Sequence, residues 1–107
     1  MFGKIRLMSQ VHVSTHPLVL HKLTILRDQK TEPKRFRELV RELSLILIAE
    51  ATGELPVTAI TVTTPMGLAQ GWEMKDRIGL VPILRAGLGM VDGALEMLPF
   101  SEVWHIG

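Results

Sequence analysis

Ile78-Gly79-Leu80-Val81-Pro82-Ile83-Leu84-Arg85-Ala86-Gly87-Leu88-Gly89-Met90-Val91-Asp92-Gly93 decides how this chain folds. An apolar run, Ile78 to Val81, breaks into a glycine turn that carries one arginine, and a helix-like pattern follows. That order builds an anion site. Glycines let backbone N–H groups approach a ligand closely, and the following helix presents its unpaired N-terminal donors and the positive end of its dipole. Arg85 adds a planar, permanently charged fork suited to phosphate oxygens. A charge set directly after an apolar strand is costly unless an anion meets it, either a bound ligand or a local carboxylate.

Two familiar phosphate loops do not fit. The nucleotide P-loop needs Gly-Lys-Ser/Thr after a four-residue gap, and the chain has no such run. The dinucleotide fingerprint needs a third glycine where Asp92 stands, and Gly93 comes one place late. By themselves the glycines also fit a plain, tight strand-to-helix turn.

Working outward, Ile78 to Leu84 reads as a buried strand with Pro82 at its end or in a bulge, because proline cannot donate to a ladder. Leu88 to Leu98 is the helix that follows, and Glu102 to Ile106 the next strand. Strand, helix and strand over about 30 residues predict a right-handed parallel crossover. Upstream, Ser14 or Thr15 can cap a helix with Pro17 near its start, running to about Lys30 with Leu20, Leu23 and Leu26 near one face. Thr31 and Pro33 restart a helix whose Phe36, Leu39, Val40, Leu43, Ile46 and Leu47 keep the spacing of a buried stripe, with Gly53 as its stop. Val57 to Thr64 reads as a strand closed by Pro65, and Met66 to Arg77 as a dispensable loop. The fold class is α/β, a parallel-sheet domain preceded by two helices.

The wording of Val81 to Gly93 resembles the pyrophosphate-holding loop of uracil phosphoribosyltransferases. The resemblance continues through His16-Pro17-Leu18-Val19, His21-Lys22-Leu23, Leu26-Arg27-Asp28, Phe36-Arg37-Glu38-Leu39 and Glu50-Ala51-Thr52. It covers residues 12–107, leaving residues 1–11 as an N-terminal extension, and implies the N-terminal part of a type I phosphoribosyltransferase-like domain. It implies that uracil displaces pyrophosphate from 5-phosphoribosyl 1-diphosphate to give uridine monophosphate. Magnesium would be bound through the diphosphate, and GTP would act as an allosteric activator. The site residues so implied are Arg85, as an electrostatic clamp, and the backbone amides of Ala86 and Gly87. No catalytic residue and no protein metal ligand is assigned.

The same resemblance implies a homo-oligomer; cytoplasm is the default expectation, because Met1 to Leu7 holds two basic residues and no long apolar core of a secretory signal. Family members are about twice this length, so the expectation is a front half, ending before the segments that cradle the ribose phosphate and read uracil, and inactive alone. A second reading is a binding or assembly module of the same fold without catalysis, including an RNA-binding regulator.

Composition accords with a soluble domain: 47% of residues are hydrophobic and 5% aromatic, so the core is expected to be aliphatic. Without cysteine the chain has no disulfide or thiolate zinc site. The apolar run Leu43 to Ala49 is far shorter than the ~20 residues that span a bilayer. Net charge is +1, but residues 1–41 carry an excess of base and residues 42–107 an excess of acid. The basic cluster Arg27, Lys30, Lys34, Arg35, Arg37 and Arg41 is interleaved with acids and lacks an aromatic platform, which favours a solvated face over nucleic acid. His12, His16, His21 and His105 are read as packing or surface residues rather than metal ligands. Asp92 is explained by the dipole of a helix first turn, Asp92 and Glu96 are read as solvated carboxylates, Trp72 is placed in a polar loop facing a neighbouring subunit, and Trp104 in the core.

Overall fold

The computed structural model describes residues 11–82 and 88–104. Its elements are α1 (Pro17–Arg27), α2 (Pro33–Ala51), β1 (Val57–Thr64), β2 (Gly67–Met74), β3 (Gly79–Leu80), α3 (Leu88–Met97) and β4 (Glu102–Val103). They form an α/β arrangement of three helices with a parallel β3–β4 pair and a separate antiparallel β1–β2 hairpin.

Proline sets the start of both N-terminal helices. A residue before proline is pushed to extended backbone, so His16 (φ −60°, ψ 130°) and Glu32 (φ −72°, ψ 155°) become the caps in place of the expected Ser14 or Thr15 and Thr31. His16 Nδ1 accepts from the N–H of Leu18 at 3.1 Å. The first helix stops at Arg27, short of Lys30, because Asp28 turns the chain: its carboxylate accepts from the N–H of Lys30 at 2.9 Å, and its carbonyl from that of Thr31 at 3.0 Å. The second helix ends as expected before Gly53, with the Thr52 hydroxyl donating to the Ile48 carbonyl at 2.7 Å.

The core sits between helices. Leu39 and Leu43 of α2, Val19 of α1 and Ala94 of α3 are buried, as is Ser44, whose hydroxyl donates to the Val40 carbonyl at 2.6 Å. The stripe on α2 is therefore real, but Phe36 at its start is exposed. In α1 the buried side chain is Val19, whereas Leu20 and Leu23 face outward.

The segment read as a loop, Met66 to Arg77, holds β2 instead. It pairs along its whole length with β1, from Thr64↔Gly67 to Val57↔Met74. A two-residue turn, Pro65-Met66, makes this possible: Pro65 supplies its fixed φ, and Gly67 takes φ +121°, which other residues rarely adopt. The Thr64 hydroxyl locks the turn by donating to the Gly67 carbonyl at 2.7 Å and accepting from the N–H of Met66 at 3.2 Å. Glycines and a glutamate obscured this strand in the sequence.

The parallel pair is shorter than its apolar run suggested. β3 is Gly79–Leu80, and Ile78 and Leu80 are half-buried rather than buried. β4 is Glu102–Val103, with the N–H of Trp104 donating to the Leu80 carbonyl at 2.8 Å. Trp104, expected in the core, is exposed, and Trp72 is exposed on β2 rather than in a loop.

Candidate functional site

Arg85, Ala86 and Gly87 lie outside the described residues, as does His105. The described residues give the frame around them. β3 ends at Leu80, Pro82 is buried, and α3 begins at Leu88, so the amino end of a helix follows the carboxyl end of a parallel strand. In open α/β sheets, ligands bind outside the carboxyl ends of the strands, where helix N-termini also converge.

What fixes that helix end is its packing on α2. Gly89 and Gly93, one turn apart on α3, face it. A Cβ on Gly93 would lie 2.9 Å from the Arg41 carbonyl oxygen and 2.9 Å from Ser44 Cβ, and one on Gly89 would lie 3.2 Å from Val40 Cγ1. These glycines therefore serve close helix approach. Their G-x-x-x-G spacing was the available signal.

A bidentate ion pair closes the same interface. Arg41 Nε and Nη2 donate to the two carboxylate oxygens of Glu96 at 2.7 and 2.8 Å. Those hydrogen bonds above all hold the Glu96 carboxyl below the usual carboxylate range against desolvation, with the Arg41 charge adding to them, and they raise the Arg41 guanidinium. Glu96 is thus paired, not simply solvated. Asp92 stands beyond the first turn of α3, which carries no acid, so the dipole account of it does not hold. It lines a cleft of about 510 Å³ with Lys34, Arg37 and Arg41. On the other side of α2, Lys22 donates to Glu42 at 2.6 Å, and that bond is the main reason the Glu42 carboxyl lies low.

Another cleft, of about 570 Å³, opens elsewhere, between the end of β2 and the turn before β4, with Glu73, Asp76, Arg77, Phe100 and Glu102 on its walls. It lies at the amino ends of β3 and β4, opposite the end where parallel sheets gather ligands. Among the described residues, no three His, Asp or Glu side chains form a group that could hold a metal ion. No helix there is long and apolar enough to cross a membrane.

The uracil phosphoribosyltransferase family model matches residues 13–107. The uracil phosphoribosyltransferase of Roseiflexus sp. (strain RS-1) is 58% identical over 100 residues, which span 94% of this chain and 48% of that protein. That of Fervidobacterium nodosum is 52% identical over 98 residues, covering 91% of this chain and 47% of the relative. Among solved structures, the AQ2163 protein from Aquifex aeolicus superposes with a TM-score of 0.81 at 35% identity, over 91% of this chain and 47% of its own. The chain spans about half the length of the curated relatives it matches. With a parallel strand and a helix in the expected order and a family match over nearly its whole length, the chain belongs to the uracil phosphoribosyltransferase family.

Proposed function

We propose that this chain supplies the diphosphate-binding half of an enzyme that transfers the phosphoribosyl group of 5-phosphoribosyl 1-diphosphate to uracil, giving uridine monophosphate and diphosphate. The observation that carries the reading is the frame around the turn: β3 ends at Leu80, and α3 starts at Leu88 on a helix whose seat on α2 is fixed by Gly93 and the Arg41–Glu96 pair. Breaking the bond from ribose C1 to diphosphate develops negative charge on the leaving group. Fixed donors placed there lower the barrier most. In this reading Arg85 is the clamp, and the amides of Ala86 and Gly87 are the neighbouring donors.

Magnesium enters with the diphosphate, as part of the substrate. GTP activation is carried by family resemblance alone, and a cytoplasmic location is the default expectation. A homo-oligomer is likewise carried by family resemblance alone.

A chimera tests the reading. Residues 12–107 are joined to the remaining half of the Roseiflexus relative, and uridine monophosphate formation is followed with both substrates varied. Arg85→Ala should raise the KM for 5-phosphoribosyl 1-diphosphate by about tenfold or more, since a charge-assisted contact is worth about 1.5–3 kcal/mol, and leave that for uracil nearly unchanged. Unaltered constants for the diphosphate would remove Arg85 from the site.

A further inference from the structure

We infer that the cleft between the end of β2 and the turn before β4 is a docking site for the basic, apolar segment Met1–Gln10 of the same chain. The inference goes beyond the catalytic reading above and does not depend on it.

The cleft joins an apolar wall to an acidic rim. Met74, Met97 and Phe100 line it with 47%, 45% and 98% of their surfaces exposed. An apolar patch rimmed by polar groups marks a contact surface. The rim carries the carboxylates of Glu73, Asp76 and Glu102 against the guanidinium of Arg77. Among the described residues, none of these three carboxylates is held in an ion pair. An occupant that is apolar on one face and cationic on the other therefore meets both halves of the cleft.

Met1-Phe2-Gly3-Lys4-Ile5-Arg6-Leu7-Met8-Ser9-Gln10 has that chemistry. It carries Lys4 and Arg6 and no acid, with Phe2, Ile5, Leu7 and Met8 around them. Laid out extended, Ile5 and Leu7 share one face and Lys4 and Arg6 the other. The apolar pair can then cover Met97 and Phe100 while the long basic side chains reach back to the rim. The family match begins at residue 13, so it assigns this segment nothing.

The start of the described chain is well placed for it. His12 Nε2 stands 3.5 Å from Glu50 Oε2, and the Ser14 hydroxyl donates to Glu50 Oε1 at 2.8 Å, which fixes this stretch on the last turn of α2. His12 shares a small cleft with Glu54. Glu54 is two residues from Pro56, whose carbonyl accepts from the N–H of Lys75 at 3.1 Å, and Lys75 lies between Met74 and Asp76 on the docking cleft. Two residues span at most about 7 Å, whereas ten can reach about 33 Å. A short tether also supplies an effective concentration on the order of millimolar, so a weak contact suffices to fill the cleft.

The test uses the 107-residue chain and, in parallel, a chimera of residues 1–107 with the remaining half of the Roseiflexus relative. A carbodiimide joins an amine to a carboxylate only where the two touch, and peptide mass spectrometry identifies the linked positions. In both proteins Lys4 should link to Glu73, Asp76 or Glu102 with a yield independent of protein concentration. Arg6→Glu, which sets a like charge against the rim, should lower that yield by about threefold or more. Reversing both sides, Lys4→Glu and Arg6→Glu with Glu73→Lys and Asp76→Lys, should restore links between the same positions. Mixing isotope-labelled with unlabelled chain separates links within one molecule from links between two. The proposal is overturned if the links join different copies, if they vanish in the chimera because the rest of the protein fills the cleft, or if Lys4 links no more often to these carboxylates than to the nearer Glu50 and Glu54.

Discussion

Replacing Gly93 with alanine sets two opposed effects against each other inside one helix. Alanine in place of glycine in a helix interior ordinarily stabilises by about 1 kcal/mol. Here the added methyl carbon would lie 2.9 Å from both the Arg41 carbonyl oxygen and Ser44 Cβ, and neither atom can swing away, since one is helix backbone and the other the root of a buried side chain. Relief requires α3 to move off α2 by roughly half an ångström, and overpacking of this kind costs about 1–3 kcal/mol. The net is a loss near 1 kcal/mol, or a fall in melting temperature of about 4–8 °C for a chain this small. Gly89→Ala is the control. Among the described residues its methyl meets Val40 Cγ1 at 3.2 Å, a side-chain atom in a half-buried residue that can give way, so no comparable loss is expected. Thermal melts followed by helical circular dichroism measure both. If Gly93→Ala melts at or above Gly89→Ala, close helix approach is not what the Gly93 position requires.

In the chimeric enzyme, Gly87→Val should abolish turnover while leaving the melt nearly unchanged; wild-type rates would place the substrate elsewhere. Gly67→Ala has open space around it but must hold φ +121°, so it should weaken the hairpin by about 1 kcal/mol without touching the helices, read as a loss of amide protection in β1 and β2. Glu42 and Glu96 are held below the ordinary carboxylate range, first by hydrogen bonds from Lys22 and Arg41 respectively. The unfolded chain therefore binds more protons in that window. Stability is present above the unfolded carboxylate value of about 4.3 and is lost as pH falls through the lower folded values. Melting temperatures should drop on acidification, and Glu42→Gln or Glu96→Gln should flatten that slope; a slope unchanged in both would show that these pairs do not couple to folding.

Local signals were legible wherever a residue acts on its own neighbours. Pro17 and Pro33 marked helix starts, the apolar stripe of α2 marked a buried face, and β-branched residues marked β1. The caps were misplaced by one or two residues because the residue before proline, rather than the best capping side chain, takes the extended conformation. β2 was missed because Gly67, Gly71 and Glu73 have low strand propensity; pairing with β1 through a two-residue turn overrides that preference.

Family and fold class could be read from order and wording alone, because the apolar run, the glycine-rich stretch and the helical pattern are contiguous in the chain. Tertiary structure decided the rest. Which element Gly89 and Gly93 face, and that Arg41 reaches Glu96 from 55 positions away, depend on which surfaces meet; the G-x-x-x-G spacing marks a close approach but does not name the partner helix. A glycine that lets a helix approach and a glycine that lets a phosphate approach read identically in sequence, since both merely lack a Cβ. Only the atoms standing where that Cβ would be distinguish them.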